Sequence, residues 1–567
     1  MQLQDRPTQV TPGAAPAVDG AHAIFNILRD WKIDLLFTCP GSTEAAVLDA
    51  SLEYPDVRVI LTTHEAIAVS AADAYARVTG RPAIAYLHAN VGLANGVAHL
   101  TCASNAHSPL VILNGLKSTA IANRDGFTSS PFQQDYIRQL VKRSRVALKT
   151  DGIPGDLSRT LQAVIAEPTG PAYLGLPQDL MEGTVSSAIP AEKRQRFPAR
   201  RRPDPDDVAA AAKLLAAGSA VTIVAGSEIA FCPEAQAALT ALAERLQAPI
   251  VLEDRRTAQA AAIHGDHPAF AGTYVLTHPT VAKADVLLYA GMYSFVEFEE
   301  QRGPFQPADA KIIHLCSDPT QIGKLAEVDV ALAANAELGL RDLFDAIGPV
   351  TSPARAAHKA AAIAAYRTAT DARRATMRAR YAESPIHPQV LVEALNEMLP
   401  RDCFVLNDAV TTGGYLSEAM IPDAAREHLG SAGGSLGWGM GGAIGVQLAR
   451  PDARVVNVVG DGSFQFGIQA LFTAEQMQLP ITYIVVDNVS YAAVRAAMKR
   501  HRKGVREADY PASDLRGPDI AAIARGFGAD AVTIDRITDL RGAIDRAFAV
   551  AGPSVIVVKT DTTHTGP

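Results

Sequence analysis

The sequence predicts an α/β protein of three doubly wound parallel-sheet domains. Three observations predict it. Short β-branched, apolar runs alternate with Ala-rich amphipathic stretches along nearly the whole chain, the pattern of repeated strand–helix units. The runs are apolar on both faces, as strands covered by helices on both sides must be. The chain has 567 residues, which at roughly 150 per domain make three or four domains, each able to bury its own core.

Taken in order, residues 18–190 hold the runs DLLFTC, VRVILTT, PAIAYLH and PLVILNG, the strands of a first unit. Residues 191–206, AEKRQRFPARRRPDPD, are charged and Pro-rich and read as a linker, and the basic residues from Lys193 to Arg202 are assigned no function. A second unit spans 206–348, with AVTIVAG, APIVLED, DVLLYAG and KIIHLC. Residues 350–385 are Ala/Arg-rich without strand signals and predict connecting helices. The third unit spans 386–567, with DCFVLN, RVVNVVGD, ITYIVVDN and SVIVVK. The N-terminal stretch lacks a basic segment followed by an apolar one, so a lead-in is expected there rather than a signal peptide.

Composition removes several function classes. Lys+Arg total 52 against 60 Asp+Glu, a formal net charge of -8, which argues against a general nucleic-acid binder. The longest apolar runs are strand-sized, so no membrane span is expected. Cys39, Cys102, Cys232, Cys316 and Cys403 are scattered and lack C-x-x-C spacing. That argues against a disulfide framework or a zinc site and fits a reducing cytoplasm.

The strongest chemical signal is VVGDGSF at the end of an apolar run, with Gly460, Asp461 and Gly462. A helix-like stretch and a second apolar run follow, ending in Asp487-Asn488-Val489-Ser490. In a parallel βαβ unit both strand ends lie at the same edge of the sheet. The Asp461 carboxylate and the Asn488 oxygen can therefore converge, with a nearby carbonyl such as that of Ser490 as a third oxygen. Mg²⁺ prefers such hard oxygens and shares them with phosphate and water. The glycines let backbone approach a diphosphate, and the next helix offers its N-terminus. The alternative is a plain strand-end turn.

Gly460-Asp461-Gly462 with Asn488 resembles the motif of thiamine diphosphate (ThDP) enzymes, G-D-G followed by about two dozen residues and N-N. Asp487 departs from it, standing where the family most often has Asn. The resemblance implies pyrimidine-binding, central and diphosphate-binding domains, with ThDP and Mg²⁺ as cofactors. It places the metal on Asp461, Asn488 and Ser490 and the diphosphate near Gly460, Gly462 and Ser463. In the Gly-rich segment Gly430–Pro451 it assigns Gly434 to the pyrimidine and Leu436 to the apolar prop that bends the cofactor. It also implies that Glu65, in THEAIAV, hydrogen-bonds the aminopyrimidine; the apolar residues after Glu65 suit a shielded carboxyl. Read by itself, Glu65 equally fits a helix N-terminus, and His64 fits either a role in orienting Glu65 or simple packing. The family pairs Glu65 with the metal motif of a second subunit, so a homodimer or homotetramer is implied.

Within the family the chain is similar to benzoylformate decarboxylase and its 2-oxo acid decarboxylase relatives. CPGSTE puts Ser42 where the family contacts the substrate carboxylate; the alternative is a helix N-cap with Glu44 in its turn. AYLHANVG puts His88 at a strand end, where those relatives have an acid/base histidine; the alternative is a structural histidine. Asn105–Gly115 and Asp487–Arg495 also run close to their segments. Glu297 or Phe298 replaces their second active-site histidine, and Ala496-Ala497-Met498 replaces bulky aromatics. Lys499, Arg500, His501, Arg502, Lys503 and Arg506 read as a solvated basic face or as a mouth for an anionic substrate. The second unit carries Gly226-Ser227 but no G-x-G-x-x-G fingerprint. An empty nucleotide fold without FAD is expected there, and a nicotinamide dehydrogenase is disfavoured. The expected activity is ThDP- and Mg²⁺-dependent decarboxylation of a 2-oxo acid to an aldehyde. The alternative is a carboligase, a 2-hydroxyacyl-CoA lyase or an acetolactate synthase-like enzyme.

Overall fold

A computed structural model describes residues 18–122, 124–186, 200–253, 260–296, 300, 303–420, 427–502, 506 and 510–564. The lead-in, most of the 191–206 linker, Glu297, Phe298 and Lys503 lie outside the described residues. The described chain forms three six-stranded sheets in which every neighbouring pair is parallel. The strands Ala172–Pro177 and Ile481–Asp487 are buried along their whole length, which is why they read as unbroken apolar runs.

The first sheet has the spatial order Arg58–Leu61, Leu35–Cys39, Ala83–His88, Leu110–Leu116, Ala172–Pro177, Arg143–Val146. Numbered along the chain, this is 2-1-3-4-6-5. The third sheet repeats it with Glu427–Gly430, Phe404–Asp408, Val455–Gly460, Ile481–Asp487, Ser554–Lys559 and Asp530–Ile534. The middle sheet differs: Phe270–Thr273, Ile250–Leu252, Val221–Ala225, Val286–Ala290, Lys311–Cys316, Val330–Ala333, or 3-2-1-4-5-6. In doubly wound sheets the crevice for ligands opens where the strand order reverses, outside the carboxyl ends of the strands. In the first sheet that point lies between Leu35–Cys39 and Ala83–His88, with Cys39 opposite Leu87. In the third it lies between Phe404–Asp408 and Val455–Gly460, with Asp408 opposite Val459.

The outer domains share one apolar core, because helix Glu65–Thr79 packs along helix Trp438–Ala449. A Cβ at Gly441 would press on the backbone oxygen of Ile67 at 3.0 Å, and one at Gly445 on the backbone nitrogen of Tyr75 at 3.0 Å. The helices can approach this closely only with glycine at both positions. Trp438 Nε1 donates to the buried carboxylate of Asp73 at 2.8 Å, and Arg77 donates to the Gly430 carbonyl at 2.9 Å. Part of the Gly-rich segment therefore joins two domains. The stretch 350–385 contains one long helix, Pro353–Arg378. Its buried Arg355 donates to the carbonyls of Gly218, Leu215, Ala216 and Leu246, capping the C-terminal ends of two middle-domain helices that lack internal partners there. Among the described residues no helix is long and apolar enough to cross a membrane.

Candidate active site

The carboxyl edge of the first sheet gathers three of the expected residues. Ser42 opens a short 3-10 turn, Ser42–Glu44, and is exposed. It is not the N-cap: Gly41 holds that place, and the Gly41 N–H donates to Glu44 Oε2 at 2.6 Å. Glu44 is 0% exposed, and its Oε2 lies 2.9 Å from Nδ1 of His88. Thr43 Oγ1 donates to Glu44 Oε1 at 2.6 Å and lies 2.8 Å from the same Nδ1. A carboxylate only accepts, so Nδ1 of His88 carries the proton and the lone pair of neutral imidazole sits on Nε2. Any Cβ at Gly115 would collide with Glu44. Glu44 entered the sequence reading only as a turn residue; the bond to His88 joins positions 44 residues apart, which spacing does not reveal.

Glu65 starts helix Glu65–Thr79, and the ring of His64 caps it by accepting from Ala66 N at 3.1 Å. His64 is therefore the cap residue. Asn95 Nδ2 donates to Glu65 Oε2 at 3.0 Å, and Gly92 leaves room beside the carboxylate, since a Cβ there would lie 3.0 Å from Oε1. Ala66, Ile67, Ala68 and Val69 are all buried. Cys39 sits among these groups; burial, then Glu65 and Glu44, push its thiol up to about 11. It stays protonated and unreactive near neutral pH.

At the third sheet, the strands carrying Gly460 and Asp487 are parallel neighbours, with Gly460 opposite Val486. Asp461 is 5% exposed. One of its oxygens accepts from Gly462 N at 2.8 Å, and Oδ2 has no partner. The backbone N–H groups of Val489 and Ser490 donate to Asp487 Oδ1 and Asn488 Oδ1 yet lie near enough to favour the charged form of Asp461, so Asp461 and the Asn488–Ser490 segment converge. Burial pushes Asp461 up to about 7, with Asp487 adding repulsion. Asn488 Oδ1 accepts from Ser490 N at 3.0 Å and keeps a second lone pair; the buried Ser490 hydroxyl has no partner. Among the described residues no three His, Cys, Asp or Glu side chains cluster for a metal. The oxygens here are instead one carboxylate oxygen without a partner among the described residues and the Asn488 amide oxygen, hard donors that suit Mg²⁺ shared with phosphate. Gly460 has nothing within 4 Å of a built Cβ, and neither has Gly434, at φ +65°, so both leave open space for a large ligand. Leu436 is half-buried nearby in the chain. Ser463 directs its hydroxyl to Asp408 Oδ1 at 3.3 Å.

The departure at Asp487 has a local explanation. Asp487 lies opposite Lys559 on the neighbouring strand and forms an ion pair with it. The extra carboxylate thus meets a cation of its own. Val489 adopts φ +50°, uncommon for a β-branched residue. Leu515 N donates to its carbonyl at 2.8 Å and Tyr491 N to Ser513 O at 3.0 Å, so the segment 513–515 holds this loop. Asp408, unnoticed in the sequence, accepts from Gly439 N at 3.0 Å and links the Gly-rich segment to Ser463.

The carboxyl edge of the middle sheet lines a cavity with Ser227, Glu228, Tyr293 and Ser317. Ser227 N donates to Glu253 at 2.8 Å, and Ser317 N donates to Glu228 at 3.1 Å. Burial pushes Glu228 up to about 7. Both of these backbone N–H groups are thus held by carboxylates of the chain itself.

Comparison with known proteins bears on all three domains. Family models described as the thiamine pyrophosphate enzyme N-terminal TPP binding domain, central domain and C-terminal TPP binding domain match residues 18–136, 208–343 and 414–558. The chain is 28% identical to a benzoylformate decarboxylase of Pseudomonas aeruginosa, over 95% of this chain and 98% of that protein. It is also 28% identical to an acetolactate synthase large subunit of Parasynechococcus marenigrum, over 95% and 86%. A benzoylformate decarboxylase structure from Polynucleobacter necessarius superposes with TM-score 0.82 at 24% identity, covering 96% of this chain and 99% of the other. A thiamine diphosphate-dependent 4-hydroxybenzoylformate decarboxylase structure from Rhodococcus jostii RHA1 superposes with TM-score 0.81 at 24% identity, covering 96% and 99%. The two structures establish the likeness of fold.

Proposed function

Because the chain belongs to the thiamine pyrophosphate enzymes, we propose that it decarboxylates a 2-oxo acid to an aldehyde and CO₂ without oxidation. The observation that carries this reading is the His88 imidazole fixed on buried Glu44 beside exposed Ser42, at the reversal point of the first sheet. Bound ThDP supplies a carbon nucleophile and a sink for the electrons released with CO₂. Asp461, Asn488 and Ser490 would hold Mg²⁺ beside the diphosphate, and Leu436 would support the cofactor. Glu65, held by Asn95, would hydrogen-bond the aminopyrimidine. The Ser42 hydroxyl binds the substrate carboxylate. His88 Nε2 moves the proton at the carbon that has lost CO₂. Among the described residues, Glu65 is bonded by Asn95 of the first domain and Asp461 by Gly462 of the third, which fits a site completed by a second copy of the chain.

A second reading keeps the cofactor and joins the substrate carbon to another carbonyl, or splits a 2-hydroxyacyl-CoA. The acetolactate synthase relative favours it, as do the small Ala496 and Ala497 on helix Ala492–His501 and the basic residues at its end. The test is CO₂ and aldehyde release from a panel of 2-oxo acids with ThDP and Mg²⁺, with Glu65→Gln as control. Release by wild type, lost in the variant, is expected. CO₂ without aldehyde would favour joining to a second carbonyl, and tight ThDP binding without CO₂ would favour cleavage of a 2-hydroxyacyl-CoA; either would overturn simple decarboxylation.

A further inference from the structure

We propose that Asn114 is a positioning residue for His88, its amide clamping the two carbonyls on either side of the histidine and holding the chain turn that aims the imidazole at Glu44. The proposal rests on the proton-transfer role of His88 given above, although the geometry stands without it.

Asn114 is 0% exposed, in a strand whose other residues include Val111, Ile112 and Leu113. A buried amide in such a run must be hydrogen-bonded, since an unmet polar group there is destabilising. Asn114 uses its full capacity. Nδ2 donates to Leu87 O at 2.8 Å and to Ala89 O at 2.9 Å. Oδ1 accepts from Tyr173 OH at 2.9 Å and from Gln133 Nε2. A side-chain amide has two donors and two acceptor lone pairs, and all four are matched.

The two carbonyls bracket His88. Between them the chain leaves the strand Ala83–His88 and enters helix Ala89–Asn105. Ala89 makes that corner at φ +49° and is fully buried. A side chain disfavours this left-handed conformation, which persists where surrounding contacts over-determine it. His88, the N-cap, makes no side-chain capping bond to the helix. Its Nδ1 turns instead to Glu44 and Thr43. The Asn114 amide, tethered by Tyr173 and Gln133, is what joins the two sides of the corner. Glu44 sets the tautomer of His88, and Asn114 sets where its backbone stands.

The test uses the full-length protein with ThDP and Mg²⁺, in Asn114→Ala with and without Ala89→Gly, which removes the left-handed penalty. Ring resonances of His88 are followed by NMR on histidine-labelled protein, assigned with His88→Gln. In Asn114→Ala these resonances should move from a single Nδ1–H form to a mixture. kcat should fall by about 10- to 100-fold, with a smaller loss of ThDP affinity, since Asn95 and Gly92 beside Glu65 lie on the helix that this corner starts. Adding Ala89→Gly should recover most of kcat and of the spectrum. Unchanged His88 resonances in Asn114→Ala would overturn the proposal, as would equal losses of kcat and ThDP affinity or no rescue by Ala89→Gly. If Asn114→Ala does not fold, Asn114→Ser keeps one donor and is read the same way. The NMR measurement needs no turnover, so an enzyme inactive on 2-oxo acids would leave this test intact.

Discussion

Oε2 of the fully buried Glu44 lies 2.9 Å from Nδ1 of His88, two residues on adjacent strand ends of the first sheet. With the carboxylate as acceptor, Nδ1 keeps its proton and the lone pair sits on Nε2. Glu44→Gln retains the shape but not the charge, and its amide can donate as well as accept. It should lower kcat by about 10- to 100-fold and leave ThDP affinity unchanged, as steady-state kinetics and cofactor titration would read. Equal activity in Glu44→Gln and wild type would show that the pair has no part in turnover.

At the end of strand Val455–Gly460, Asp461 Oδ2 has no partner among the described residues. Asp461→Ala, or removal of divalent cations with EDTA, should weaken ThDP binding by more than about tenfold, and the thermal shift produced by ThDP with Mg²⁺ should disappear. Calorimetry showing undiminished ThDP affinity in the variant would remove Asp461 from the metal site.

Asp408 gives a pH signature without cofactor. Burial pushes its carboxyl up to about 7, against about 4 in an unfolded chain. The folded state thus holds a proton that the unfolded state has released. Unfolding free energy should fall as pH rises from about 4 to about 7 and level off outside that window. Asp408→Asn should flatten this slope in urea denaturation at a series of pH values. Identical slopes in the two proteins would contradict the assignment.

Gly445→Ala puts a methyl group against the backbone of helix Glu65–Thr79. Overpacking of this kind costs about 1–3 kcal/mol. A drop in the denaturation midpoint is expected, together with faster proteolysis between the first and third domains. Gly348→Ala, where nothing lies within 4 Å, is the matched control and should be neutral. Equal midpoints for the two variants would mean that the helices have room to separate.

The sequence by itself determined the three parallel α/β units, the long helical connection after the second, and the two strand ends that carry Asp461 and Asn488. These are local properties: strand and helix periodicity, glycine at a strand end, and the rule that parallel strands end at one edge. The carboxylate beside a helix start, Glu65, and the histidine at a strand end, His88, were legible for the same reason. Tertiary structure decided the rest. The shared 2-1-3-4-6-5 order of the outer sheets leaves no trace in spacing, because strand order is set by crossovers and by which faces pack. Glu44 on His88, Asn95 on Glu65, Lys559 on Asp487 and Asn114 across the His88 corner join residues that are remote in the chain or outside any pattern. Gly441 and Gly445 looked like part of a cofactor loop and prove to be helix contacts, since a missing side chain says only that something comes close. What comes close is fixed by packing, a property of the whole fold rather than of any segment.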